Sequence, residues 1–104
     1  MAKIPANVDR SVKRFLREAA RQHRISAAYL YGSQTQGAAS AWSDIDVAII
    51  SSDFSGDLFG EQLALMRIAA RIDDRIEPRA FTPDAFTVND PLASAIQQTG
   101  IRVA

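Results

Sequence analysis

The sequence has no cysteine, one histidine, one tryptophan and only two lysines, Lys3 and Lys13, among its twelve basic residues. Without cysteine there can be no disulfide, no thiolate zinc site and no cysteine nucleophile. A lone histidine, His23, leaves little material for a histidine metal cluster or a Ser-His-Asp hydrolase. Twelve Lys and Arg cancel twelve Asp and Glu, so the basic surplus of a dedicated nucleic-acid binder is missing. No run approaches the roughly 18 apolar residues of a membrane span, and the opening Met-Ala-Lys-Ile-Pro leads into a charged segment instead of a signal core. A soluble, cytoplasmic chain is the expectation. The 104 residues, 47% of them hydrophobic, allow one domain, residues 1–104, with one core. Carboxylate, hydroxyl and guanidinium chemistry remain.

The pattern along the chain predicts a small α/β (α+β) domain, with a three-stranded or slightly larger mixed sheet and helices packed mainly on one face. Val8, Val12, Phe15, Leu16, Ala19 and Ala20 recur at helical spacing from Asn7, a candidate N-cap, to about His23. On the opposite face Arg10, Arg14, Arg17, Arg21 and Arg24 make a continuous basic stripe. Residues 1–24 hold seven basic and two acidic side chains, so the neutral total hides a basic start and an acidic remainder. Such a stripe is read first as a solvated face, and second as a docking face for RNA or an acidic partner. His23 is read as a helix C-terminal residue facing the dipole.

Ile25 to Tyr31 reads as a buried strand, and residues 44–50, Asp-Ile-Asp-Val-Ala-Ile-Ile, as a central strand with one polar end. After a Ser-, Asp- and Gly-bearing loop, Phe59, Leu63, Met66, Ala69 and Ala70 mark a second amphipathic helix. Arg75 to Phe81 is a third strand, which Pro78 places at an edge or ends there. Pro91 to Gln98 is a short helix capped by Asn89 or Asp90 and stopped by Gly100.

Residues two apart on a strand share a face, so Asp44 and Asp46 project together, about 6.6 Å apart, while Ile45, Val47 and Ile49 enter the core. Paired carboxylates repel unless a cation neutralises them, and this pair can converge on hard divalent ions. Gly32-Ser33 follows a strand and opens a short helix, where free amides and a hydroxyl favour phosphate. Gly37 lets the next turn fold back. No Gly-Lys-Ser/Thr is present, so a Walker P-loop is excluded, and the late lysine of a receiver domain is missing too.

Gly32-Ser33, ten intervening residues and Asp44-x-Asp46 together resemble the signature of the DNA polymerase beta nucleotidyltransferase superfamily, in particular its stand-alone minimal nucleotidyltransferases. The likeness continues through Ile76-Glu77-Pro78-Arg79-Ala80-Phe81 and a closing Ile-x3-Gly-Ile at residues 96–101. It implies that Glu77 supplies a third carboxylate, although family members more often carry aspartate there. Asp73 and Asp74 compete for that role but read as solvated turn residues. The resemblance further implies two magnesium ions held by Asp44, Asp46 and Glu77, with ATP or another nucleoside triphosphate gripped by Gly32 and Ser33. Transfer of a nucleoside monophosphate to an acceptor hydroxyl would release pyrophosphate. Stand-alone members suggest a protein acceptor, such as a HEPN-domain toxin that this chain would neutralise as an antitoxin. A non-catalytic nucleotide-binding or neutralising subunit is the alternative, and a homodimer is compatible with either. Relatives often carry basic residues where this chain has Gln34 and Gln36, which implies weaker phosphate affinity. Trp42 is read as a packing anchor, with base stacking as the second reading.

Overall fold

The computed structural model describes residues 4–35 and 43–104; the readings of Lys3, Gln36, Gly37 and Trp42 lie outside these residues. A first helix, α1 (Ala6–Ala20), leads into strand β1 (Ala27–Tyr31) and a single 3₁₀ turn at Gly32–Thr35. Strand β2 (Ile45–Ile50), a second 3₁₀ turn at Ser52–Gly56, helix α2 (Leu58–Ile72), strand β3 (Ile76–Phe81), helix α3 (Pro91–Thr99) and the short strand β4 (Ile101–Arg102) follow. Among the described residues no helix is long and apolar enough to cross a membrane.

The sheet has four strands in the order β3-β2-β1-β4. β1 pairs antiparallel with both β2 and β4, while β2 and β3 run parallel, joined through α2. Alternation assigns the faces. Leu30, Ile45, Val47 and Ile49 are fully buried beneath α1 and α2, together with Val12, Phe15 and Leu65; each large side chain removed from water contributes about 1.5–3 kcal/mol. Ala48, Ile50 and Phe81 face the other way and pack against Ala93 and Ile96 of α3 and against Phe86.

The two long helices thus share one face, as expected, and the short α3 adds a smaller layer on the other. β3 and β4 sit at opposite edges, so the chain between them must cross the sheet, and it does so over the face that α1 and α2 leave bare. β4 itself was not anticipated, because two residues carry no readable period. Asp90 is the α3 cap, its side chain accepting from the Ala93 amide at 3.0 Å, and Gly100 ends that helix.

α1 begins one residue before Asn7, at Ala6, with Pro5 as its cap. The extended Pro5 backbone presents its carbonyl to the Asp9 amide at 2.9 Å, which places Asn7 inside the first turn. The helix also stops at Ala20, short of His23. The His23 ring packs edge-on to Phe54 at 5.0 Å, and its Nε2 lies 2.9 Å from a Glu61 carboxylate oxygen. It therefore ties the turn after α1 to the start of α2 and is not an exposed dipole partner. Arg10, Arg14, Arg17, Arg21 and Arg24 are all exposed, as the stripe predicts.

α2 is rotated relative to the expected phase. Leu65, Ile68 and Ala69 are buried, whereas Phe59 is 75% and Met66 49% exposed. The helix is apolar around much of its circumference, so periodicity alone leaves its buried side ambiguous. Pro78 lies opposite Val47 on the edge strand, and pairing continues past it. The Gln62 side chain closes that edge, donating to the Pro78 carbonyl at 2.6 Å and accepting from the Ala80 amide at 2.8 Å. An exposed strand edge invites pairing with another chain; this one combines a residue without an amide hydrogen and a glutamine already in place.

Candidate active site

Three strands meet in one row. Tyr31 at the end of β1 lies opposite Asp46 on β2, and Asp46 lies beside Glu77 on β3. Paired residues on adjacent strands project from the same face, with backbones about 4.8 Å apart. One row further along, Tyr29, Ala48 and Arg79 line up in the same way. α3 and Phe86 cover the Ala48–Ile50–Phe81 end of this face, whereas Asp46 is half-buried and Glu77 exposed. The open end of the face thus carries the acids. Asp44, just before β2, is exposed two residues from Asp46.

Gly32 turns the chain at the end of β1 with φ of +78°, the left-handed region that side chains other than glycine rarely adopt. An added Cβ there would strike the Asp46 carboxylate. The turn that follows is one 3₁₀ turn, bound by Thr35 Oγ1 donating to the Gly32 carbonyl at 2.8 Å, so its dipole is smaller than a full helix would supply. Ser33 is half-buried within it.

Gln34 departs from the role its position suggested. It is 4% exposed and directs its amide to the carbonyls of Ser43 and Asp44, at 3.4 and 3.3 Å. It braces the segment entering β2 and does not face an approaching phosphate. No sequence signal marks this, since a glutamine in a polar turn reads as solvated. Tyr31 and Arg79 were likewise passed over, although period-two alternation from Asp46 and Glu77 places both on the acidic face.

The electrostatics link the row. Partial burial raises the Asp46 carboxyl above the usual carboxylate range, and the charges of Glu77 and Asp44 raise it further, against the opposing pull of Arg79. Burial also raises the Tyr31 phenol, reinforced by Asp46 and Glu77 and opposed by the nearby charge of Arg79. Asp44, Asp46, Glu77, Arg79 and Tyr31 therefore occupy one electrostatic neighbourhood. Among the described residues, no three histidine, aspartate or glutamate side chains are drawn tightly enough to form a ready metal cluster. The donor set nevertheless suits a hard divalent cation, because it consists of carboxylates whose repulsion such an ion would relieve.

The rival acids stand elsewhere. Asp73 is not a solvated turn residue: it ends α2 and accepts from Ser11 Oγ at 2.8 Å and from the Arg75 guanidinium at 2.7 and 3.0 Å. The Arg75 hydrogen bonds lead in holding its carboxyl down at about 2. Asp74 is exposed, as expected. It borders a groove of about 860 Å³ between α2 and the outer edge of β3, which also touches Leu58, Phe59, Met66 and Glu77.

A family model described as "Polymerase beta, Nucleotidyltransferase" matches residues 13–102. A crystal structure from Sulfolobus solfataricus, provisionally named a nucleotidyltransferase, superposes with a TM-score of 0.65 at 15% identity, covering 92% of this chain and 78% of the other. A second structure with the same provisional name superposes with a TM-score of 0.58 at 24% identity, covering 95% of this chain and 100% of the other. At these identities both likenesses speak for the fold. No curated protein matches the sequence.

Proposed function

This chain belongs to the polymerase beta nucleotidyltransferase family, and we propose that it moves a nucleoside monophosphate, AMP in the first instance, from a nucleoside triphosphate to a hydroxyl of a partner protein. The observation that carries this reading is the pairing of Asp46 with Glu77 beside a left-handed Gly32 whose missing side chain makes room for the Asp46 carboxylate. Asp44, Asp46 and Glu77 would hold magnesium, which supplies charge neutralisation for the attacking and leaving oxygens of an in-line displacement. Gly32 and Ser33 bind the triphosphate tail through backbone amides and hydroxyl. The acceptor oxygen forms its bond to the α-phosphorus as the bond to the bridging oxygen breaks, and pyrophosphate leaves with that electron pair. Glu77, exposed at the edge of the row, takes the acceptor proton.

The partner is proposed to be a HEPN-domain toxin, modified and so neutralised by this chain as a minimal nucleotidyltransferase antitoxin. Support for a protein acceptor comes from the apolar groove that begins at Glu77 and runs along Phe59 and Met66. The alternative, neutralisation by binding alone, is favoured by the loose spacing of the carboxylates. Labelled ATP, magnesium and the co-purified partner separate the two. Transfer of one AMP per acceptor site, lost with chelator and in Asp46→Asn, supports catalysis. Neutralisation that survives Asp46→Asn with no label transferred supports occlusion.

A further inference from the structure

The Gly32–Thr35 turn contains no basic residue, and its one long polar side chain, Gln34, is committed to the backbone of Ser43 and Asp44. Lys13 lies on α1, paired with Asp9 at 2.8 Å. A triphosphate on this turn would need its cation from another element, and β3 carries one. Arg79 follows Glu77 by two residues on the same face, opposite Ala48. That face also carries Tyr31 of β1 and Asp46 of β2, and the Arg79 charge acts on both. Between Arg79 and β1 lies only the small Ala48, and Tyr31 and Asp46 stand in the next row, at the strand end that leads into Gly32.

Arg79 also stays out of ion pairs. Among the described residues Arg79, like most of the arginines, lies within 4 Å of no carboxylate, although Asp46 and Glu77 occupy the neighbouring row. An arginine serving only to neutralise those acids would close on one of them. This one is exposed and left open to phosphate, with which guanidinium bonds are charge-assisted and bidentate.

We propose that Arg79 is the side chain that binds the triphosphate tail, supplying from β3 the positive charge that the Gly32–Thr35 turn lacks. The proposal rests on the nucleotide-transfer reading and names a residue for it. Calorimetric titration at saturating magnesium, with ATP and separately with inorganic tripolyphosphate, tests it. Arg79→Gln is expected to weaken both by about 10-fold or more, and Arg79→Lys to recover part of the loss. Arg79 is exposed, so both variants should keep the wild-type unfolding temperature within a few degrees. Equal affinities in wild type and Arg79→Gln would overturn the proposal and leave the transfer reading standing. Weakened ATP with unchanged tripolyphosphate would also overturn it, since Arg79 would then serve the nucleoside. A wild-type protein that binds neither ligand would remove the transfer reading and Arg79's role together.

Discussion

Gly32 and Asp46 are complementary across the β1–β2 pair: the glycine holds φ at +78°, and a methyl group on it would occupy the position of the Asp46 carboxylate. The first residue of the phosphate-type turn and the central acid are thus one packing unit, although thirteen residues lie between them in the chain.

Gly32→Ala should destabilise the fold by about 1–2 kcal/mol for the left-handed backbone alone, with an added penalty for displacing the carboxylate. In an Asp46→Ala background only the backbone part should remain. A double-mutant cycle by denaturant unfolding measures the difference, and strictly additive losses would refute direct contact between the two sites. ATP binding should fall with Gly32→Ala in either case.

Gln34→Arg tests whether that position is a phosphate contact missing its charge. The side chain is buried and already bonded to two carbonyls, so a guanidinium should not fit. The expected result is a stability loss of about 1–3 kcal/mol and no gain in ATP affinity. Tighter ATP binding with unchanged stability would contradict the brace.

Asp73 should control part of the acid limb of stability. Its folded carboxyl sits at about 2 against an ordinary 3.8, so on acidification the unfolded chain takes up the proton first. The contribution is complete above about pH 4 and is lost as the pH falls toward 2. Asp73→Asn should lower stability near neutral pH by about 1–3 kcal/mol, by weakening the bonds to Ser11 and Arg75, and should flatten this part of the pH profile. Denaturant midpoints near neutrality and near pH 3 provide the check; a profile as steep as wild type would assign the acid limb to other carboxylates.

Gln62→Leu keeps the size of the side chain on α2 but removes both bonds that close the edge of β3. The Ala80 amide should then exchange with solvent much faster than in the wild type, while the β2–β3 ladder stays protected. Hydrogen exchange by NMR resolves the single amide; an unchanged Ala80 rate would mean that another group shields it. Loss of about 1 kcal/mol is expected alongside.

Much of the site was legible because its signals are short-range. Strand period turns Asp46 away from the buried Ile45 and Val47, Gly32-Ser33 stands at a strand end, and the burial of Ile76 turns Glu77 to the opposite side, whereas Asp44 falls just before β2. Where the reading failed, the decisive contact was distant in sequence. Asp73 is held by Ser11, sixty-two residues away, and Gln34 by the strand entry of β2. His23 left the helix for Phe54 and Glu61, partners no local pattern announces.

By itself the sequence determined the order of the three helices and the first three strands, and the positions of the acids and the glycine, because helix, strand and turn preferences are written in the spacing of neighbouring side chains. Only the tertiary structure decided which strands adjoin and in what register. That choice brings Tyr31, Asp46 and Glu77 into one row, ties Asp73 to Ser11 and sets Arg79 in the next row on the same face. It is made by burying both faces of β2 at once, a condition set jointly by α1, α2, α3 and the strands on either side.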